Sequence, residues 1–181
     1  MAAWVNPATL SGRRVVASQA SSLMSPHGTY ELYIQDGKPR FLVRESSGNP
    51  WYVTAEASSA LPATNQWYHL VGVADAATGV LTIYVDGVAA GSTSGWNGLL
   101  YGGGPFQVGS HYHISEPDNN LGEFIGKIDK VGVWNRALAV SEVQSLSCSE
   151  ENTAGHPRPQ IHDRSSTLTS EDHNAIQLMM K

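Results

Sequence analysis

Alternation of apolar and polar residues predicts β-strands along most of the chain. YELYIQ (30–35) and RFLVRE (40–45) both alternate, and the turn sequence DGKP lies between them. This pattern predicts a β-hairpin whose loop contains Asp36 and Gly37.

The same pattern continues through the second half of the chain. QWYHLVGVAD (66–75) and VLTIYV (80–85) flank the turn AATG, and a second DG turn precedes VAAGS (88–92). Further strands are predicted within PFQVGSHYHI (105–114) and GEFIGKIDKVGVWN (122–135). In VLTIYV the apolar face consists of Leu81, Ile83 and Val85, with Thr82 and Tyr84 on the opposite face.

Many short strands separated by Gly, Asp and Asn turns indicate an all-β fold, a two-sheet antiparallel jelly-roll sandwich. LAVSEVQSL (138–146) predicts a short C-terminal helix, with Ser141 and Glu142 as its cap signal. Residues 149–181 contain no Trp, Tyr or Phe, so they are predicted to be a polar, largely irregular tail with a short helix over 169–180. The sequence therefore predicts a domain at 1–148 and a tail at 149–181.

Composition and charge exclude several classes of protein. The net charge is −5 and no basic run occurs, which argues against a nucleic-acid partner. No apolar stretch approaches the length that spans a bilayer, so no transmembrane segment is predicted. The single cysteine, Cys148, allows no intramolecular disulfide. MAAWVNPATL lacks the pattern of a signal peptide, so the signal of an exported protein would lie upstream of this chain.

Asp129 is the first candidate for chemistry. Strand alternation predicts that Ile128 and Lys130 lie on one side and Asp129 on the other. A buried carboxylate must be paired, so Asp129 is predicted to accept hydrogen bonds from backbone N–H groups or from Arg136. Calcium ligation and catalysis are the alternatives.

The segment SEPDNNLGE (115–123) concentrates oxygen donors. Its side chains include Glu116, Asp118, Asn119, Asn120 and Glu123. Calcium takes six to eight oxygen ligands, so Glu116 and Asp118 are candidate metal ligands together with Asp129. The alternative is a solvated loop shaped by Pro-Asp turn chemistry.

Aromatic residues in predicted loops are the candidates for ligand binding. Flat rings outside the core can stack on sugar faces, and neighbouring amides can bind hydroxyls. Trp96, flanked by glycines and Asn97, is predicted to be the most exposed ring. The alternative for the tryptophans is that they pack over the sandwich rim. His111 and His113 could form half of a zinc site, and the alternative is that they are simply exposed. The ligand-binding candidates are Trp51, Tyr52, Trp96, Asn97, Tyr101, His111, Tyr112, His113 and Asn119.

Three motifs occur in a specific order: AAWVNP, LPATNQWYHLVGVADAATGVLTIYVDGVAAG and FIGKIDKVGVWNRALAVSEVQSL. With them the chain resembles the laminin-G-like, concanavalin A-like jelly-roll family over residues 2–146. The resemblance implies two curved sheets packed face to face, with the helix capping one open end. The family's usual first strand is missing here, which would expose an edge for pairing with another chain or domain. Family members often carry a second acid where Lys130 stands, close to a bound calcium.

The resemblance implies a non-catalytic extracellular binding module, part of a larger secreted or surface protein, that recognises a glycan or an extracellular protein. One alternative is a glycoside hydrolase or polysaccharide lyase on the same fold. Glu116 and Asp118 resemble the start of a glucanase motif, and catalysis would need paired carboxylates facing the sugar. The other alternative is a structural or assembly domain.

Overall fold

A computed structural model of the chain describes residues 1–19, 29–44, 52–97, 105–110 and 122–148. The described residues form ten β-strands and one α-helix. Their bounds are β1 (Ala2–Pro7), β2 (Arg13–Gln19), β3 (Tyr30–Gln35), β4 (Lys38–Arg44), β5 (Tyr52–Glu56), β6 (Tyr68–Asp75), β7 (Val80–Val85), β8 (Val88–Ser94), β9 (Phe106–Val108), β10 (Gly126–Gly132) and α1 (Val140–Cys148).

The strands make two antiparallel sheets of five, which confirms the predicted all-β sandwich. Sheet A has the order β10-β1-β6-β7-β8, and sheet B has the order β5-β4-β3-β2-β9. β1 is paired on both sides, with β10 and with β6. Within the described residues the sheet edges are therefore β8, β10, β5 and β9.

Both predicted hairpins with DG turns are present. Asp36 and Gly37 join β3 to β4, and Asp86 and Gly87 join β7 to β8. All four residues have positive φ, between 48° and 83°. Two-residue turns of this kind match the right-handed twist of the flanking strands.

The main core lies between the sheets. Leu81 and Ile83 are fully buried in it, and Val85 packs against it, as the alternation predicts. Leu32 and Ile34 contribute from sheet B. Tyr84 points to the opposite, outer face of sheet A.

The alternation predicted around Asp129 is wrong because β10 contains a bulge. Lys130 adopts a left-handed conformation with φ of 49°, and the β1–β10 register shifts between Ala2 and Trp4. Ile128 and Val131, three residues apart, both pack against the main core. One extra residue on the bulged strand therefore turns Lys130 out of the face that it was predicted to share with Ile128.

Helix α1 lies on the outer face of sheet A and does not cap an end of the sandwich. Val143 and Leu146 pack against Val71 and Tyr84. The Ser147 hydroxyl lies against Gly87, where an added Cβ would come within 2.6 Å of Oγ. The outer face of sheet A is apolar around Val71 and Tyr84, and covering it with the helix removes this apolar surface from water.

The helix N-terminus is closed by Glu142 rather than Ser141. Its carboxylate accepts the Ala139 backbone N–H at 2.7 Å and pairs with Arg136 at 2.5 and 2.7 Å. The Arg136 hydrogen bond is the main cause that lowers the pKa of Glu142 to about 2. An acid three residues into the helix satisfies an otherwise unpaired N–H of the first turn.

Glu142→Gln is expected to destabilise the fold by about 1 kcal/mol or less at pH 7, since the pair is screened by solvent. The pKa is depressed in the folded state, so the contribution is present above pH 4.5 and is lost as pH falls toward about 2. Urea unfolding at pH 7 and pH 3 measures it. The exposed Glu123→Gln is the control, and equal losses in both variants would contradict the cap.

The predicted tail, residues 149–181 with its helix over 169–180, lies outside the described residues. A search of the described part of the chain for a helix with the length and apolar character of a membrane span finds none.

Candidate functional site

A cleft of about 490 Å³ opens at the end of the sandwich where β6 passes into β7. Residues 72–77 form one wall, and residues 133–138, which connect β10 to α1, form another. The inner face of sheet B and the end of β8 contribute the remainder. The lining residues are Met1, Tyr30, Phe41, Val43, residues 72–77, Trp96 and residues 133–138.

The path of the chain explains why the cleft forms here. β10 ends beside the start of β1, with Gly132 opposite Ala2, while α1 lies across the outer face of the same sheet. Residues 133–138 therefore cross the end of the sheet to reach the helix. Leu138 anchors this segment in the cluster beneath α1, and the space between the segment and residues 72–77 stays open.

Trp96 was predicted to be the most exposed ring, and that prediction is wrong. The residue is only 6% exposed and belongs to the main core. Its backbone N–H donates to the Gly79 carbonyl at 3.1 Å. Gly79 has φ of 67°, and a Cβ there would approach the Trp96 carbonyl oxygen at 2.6 Å. The β6–β7 turn thus holds Trp96 inward, where its surface forms part of the cleft wall.

Three residues with uncharged polar side chains, Tyr30, Trp134 and Asn135, line the cleft. Within the described part of the chain, the Tyr30 hydroxyl, the Trp134 indole N–H and the Asn135 amide make no hydrogen bond. Burial raises the pKa of Tyr30, so its hydroxyl stays protonated at neutral pH. A ligand with hydroxyl groups could therefore bond to all three without displacing an internal partner.

The charged residues of the described lining are Arg136 and Asp75. The hydrogen bond to Glu142 is the main cause that raises the pKa of Arg136. Hydrogen bonds from Thr78 and then from the Ala77 backbone lower the pKa of Asp75. Both groups are charged at neutral pH, and both are engaged with the protein itself.

Tyr52 and Asn97 are the other two described candidates for ligand binding. Tyr52 was placed in a loop, but it is the first residue of β5, opposite Arg44, and is 41% exposed. The backbone can pair there because Val53 and Ala55 continue the strand along β4. Asn97 is exposed directly after Trp96. Neither residue lines the cleft.

The other aromatic, histidine and amide candidates lie outside the described residues. Val43 and Trp96, which line the cleft, each lie two residues before the segments that carry Trp51 and Tyr101. The remaining candidates belong to the segment 111–121 and are His111, Tyr112, His113, Glu116, Asp118 and Asn119.

Asp129 is described, and its predicted bond to the backbone is present. Oδ1 accepts the Lys130 N–H at 2.8 Å, while the Arg136 guanidinium forms its forked pair with Glu142. Among the described residues, no three His, Cys, Asp or Glu side chains cluster as a metal site would require. The other two candidate calcium ligands, Glu116 and Asp118, lie outside that part of the chain.

Sequence reasoning missed Tyr30, Trp134, Asn135 and Arg136 as cleft residues. Tyr30 was part of an alternating strand, Trp134 and Asn135 were only part of a quoted motif, and Arg136 was predicted to pair with Asp129. The available signal was the polar pair Asn135-Arg136 between an aromatic strand end and a helix, which indicates a surface connection rather than a core position.

This architecture is a two-sheet antiparallel β-sandwich with a cleft at one rim. The family model described as the concanavalin A-like lectin/glucanases superfamily matches residues 1–144. The chain belongs to this family, which confirms the resemblance in its motifs.

Solved structures share the fold at low sequence identity. A heptameric SAP-like pentraxin from Limulus polyphemus is 16% identical, with a TM-score of 0.63 over 87% of this chain and 70% of that chain. The CBM40 module of the Ruminococcus gnavus IT-sialidase is 11% identical, with a TM-score of 0.61 over 81% and 80%, and it has also been solved with α2,3-sialyllactose bound. The receptor-binding domain of botulinum neurotoxin type G is 13% identical, with a TM-score of 0.54 over 81% of this chain and 36% of that one. Among curated proteins, no relative matches.

Proposed function

We propose that this chain is a non-catalytic binding module of a larger secreted or surface protein, and that it binds carbohydrate in the rim cleft. The observation that carries the proposal is the combination of aromatic walls and unpartnered hydroxyl, indole and amide groups in one cavity. Its volume lies within the roughly 300–1,000 Å³ of ligand pockets. Structural neighbours that bind sugars or receptors support a binding role by fold analogy.

Sugars fit this chemistry because they have both apolar C–H faces and a dense set of hydroxyls. The Trp134 ring and the surface of Trp96 offer apolar contact, while Tyr30 and Asn135 offer donors and acceptors. A protein ligand bound at a different surface, outside the cleft lining, is the alternative. It would use the exposed Tyr52 as an anchor, since tyrosine is enriched at protein interfaces.

Asp75 favours binding over hydrolysis. A glycosidase needs two carboxylates facing the sugar, and Asp75 is the one carboxylate among the described lining residues. Both of its oxygens are already bonded within the β6–β7 turn, to Ala77 N–H at 2.9 Å and to the Thr78 hydroxyl at 2.8 Å. The role of Asp75 is therefore to shape the rim.

Asn135→Ala and Tyr30→Phe are expected to weaken binding of a glycan about five- to tenfold each, because each change removes one hydrogen-bonding group. A glycan array followed by calorimetry on the strongest hit measures the effect. Val88→Ala is the matched control, since Val88 is 67% exposed beside the β7–β8 turn and does not line the cleft. A folded chain that bound no glycan would overturn the proposal.

Calcium binding by Glu116, Asp118 and Asp129 stays a prediction. If calcium binds the folded chain, the melting temperature is expected to rise on addition of calcium and to fall with EDTA, since a ligand at about 100 times Kd adds roughly 2.7 kcal/mol. Asp129→Asn tests the assignment, because it keeps an acceptor for the Lys130 N–H while removing the charge. An equal calcium shift in this variant would exclude Asp129 as a ligand.

A further inference from the structure

The two charged side chains that line the cleft, Arg136 and Asp75, are both bonded to other groups of the protein. The Arg136 guanidinium makes two parallel bonds to Glu142, from Nη1 at 2.7 Å and from Nη2 at 2.5 Å. Nη1 also contacts the Ala137 carbonyl at 3.3 Å. A forked pair of this kind uses the side of a guanidinium that would otherwise hold a carboxylate or sulfate.

The Asp75 carboxylate is also bonded within the protein, but its partners are uncharged, so its negative charge is not neutralised. Asp75 holds the β6–β7 turn through Ala77 and Thr78, and it is fully ionised at neutral pH. Arg136 and Asp75 line the cleft, and Glu142, which lies outside that lining, neutralises Arg136, so the charge of Asp75 is left unbalanced among these three side chains. An anionic group entering the cleft would meet a net negative set of described side chains, and it would find the guanidinium already paired.

Among the described lining residues, the polar side chains without a hydrogen bond are all uncharged. They are the Tyr30 hydroxyl, the Trp134 indole N–H and the Asn135 amide. These groups can pair with hydroxyls and acetamido groups, and they lie beside the apolar wall that includes Trp96.

We infer that the cleft selects uncharged sugars and discriminates against uronic, sialic and sulfated ones. This inference rests on the proposed function and adds the class of ligand. It distinguishes the chain from the Ruminococcus gnavus module, which shares the fold and has been solved with a sialylated sugar. The discrimination comes from the Arg136–Glu142 pair and from Asp75, so changing either should alter it.

The experiment compares matched neutral and acidic sugars on the full chain. The pairs are galactotriose with trigalacturonate, mannotriose with trimannuronate, and lactose with α2,3-sialyllactose, on an array that also carries gluco- and xylo-configured chains. In each pair that binds, the neutral member is expected to bind at least about fivefold more tightly, the effect of one like charge at contact distance in water.

Glu142→Gln provides the internal test. It frees Arg136 and removes a negative charge, so affinity for the acidic member of a pair is expected to rise about fivefold while that for the neutral member is unchanged. Asp75→Asn is the second variant in case the helix cap is needed for folding, and it should also raise affinity for the acidic member. Circular dichroism checks that each variant is folded.

The outcomes separate the two proposals. Acidic members that bind the unmodified chain as tightly as the neutral ones would overturn the inference and leave the proposed function standing. The inference would also be overturned, with the proposed function still standing, if Glu142→Gln and Asp75→Asn both left the preference for neutral over acidic sugars unchanged. Absence of binding to every glycan on the array would overturn the proposed function, and the inference with it.

Discussion

Gly91→Ala is expected to destabilise the sandwich by about 3 kcal/mol, because the two sheets meet at this residue. An ideal Cβ on Gly91 would overlap the backbone carbonyl oxygen of Glu56 and lie 3.4 Å from the Ala57 Cα. The same junction is held by Ser58 N–H donating to the Ala90 carbonyl at 2.9 Å. Backbone atoms cannot rotate out of the way as a flexible side chain can, so β8 would have to separate from the end of β5.

Urea unfolding monitored by tryptophan fluorescence measures this loss by linear extrapolation. Ser92→Ala is the control, since Ser92 is exposed on the same strand, and a surface change of this kind should stay within about 0.5 kcal/mol. If Gly91→Ala were as stable as Ser92→Ala, the sheets would not be in contact at β5 and β8.

The strands with regular alternation were predictable, and those with irregular patterns were not. The bounds of β3 and β7 match the predicted segments 30–35 and 80–85, where period-two alternation and DG turns agree. β2 was not assigned, because RRVVASQ is buried on both faces over Val15 and Val16 and shows no alternation. β5 was not assigned either, since YVTAE is short and follows a Gly-Asn-Pro sequence that indicates a loop.

Departures from periodicity are set by tertiary contacts. The bulge at Lys130 exists because β10 must follow β1 while keeping both Ile128 and Val131 against the core. No local pattern in GKIDKVG indicates a left-handed lysine. The helix could be predicted from its own composition, but the surface that it covers depends on residues much earlier in the chain, at Val71 and Tyr84.

The cleft was the least predictable part, because its walls come from residues far apart in the chain. Glycines around Trp96 indicated an exposed loop, but the Trp96 side chain is buried in the main core. Asn135 was not singled out and Arg136 was predicted only to pair with Asp129, yet the crossing of residues 133–138 brings both to the cavity. Local sequence predicts which segments turn, whereas exposure depends on what packs against them.

His69 is expected to make the protein less stable in acid. It is only 2% exposed on the outer face of sheet A, with its ring 5.1 Å from the Trp4 ring. Its Nδ1 is buried and has no hydrogen-bond partner among the described residues. Burial lowers the pKa of His69 from 6.5 to about 4. Between these pH values the imidazole is protonated in the unfolded chain but not in the folded chain. The free energy of unfolding therefore falls as pH drops from 6.5 toward 4.

Each unit of pKa shift corresponds to about 1.4 kcal/mol, so roughly 2 kcal/mol should be lost between pH 7 and pH 4.5. Asp86 is the charged neighbour, because its carboxylate accepts the His69 backbone N–H at 2.7 Å. Burial raises the pKa of Asp86, and a raised acid pKa acts in the opposite direction. This offset begins at the ordinary pKa of 3.8 for an aspartate and extends upward from there.

Urea unfolding at half-unit intervals from pH 7 to pH 4 isolates the contribution of the imidazole. His69→Phe and His69→Gln are expected to flatten the slope of unfolding free energy against pH in this window, whatever each does to stability at pH 7. Glu142→Gln is the matched comparison, because its titration acts below pH 4.5 and should leave the slope from pH 6.5 to pH 5 unchanged. An unaltered slope in both His69 variants would mean that the imidazole is accessible to protons in the folded protein. The buried packing of His69 against Trp4 would then not describe the protein in solution.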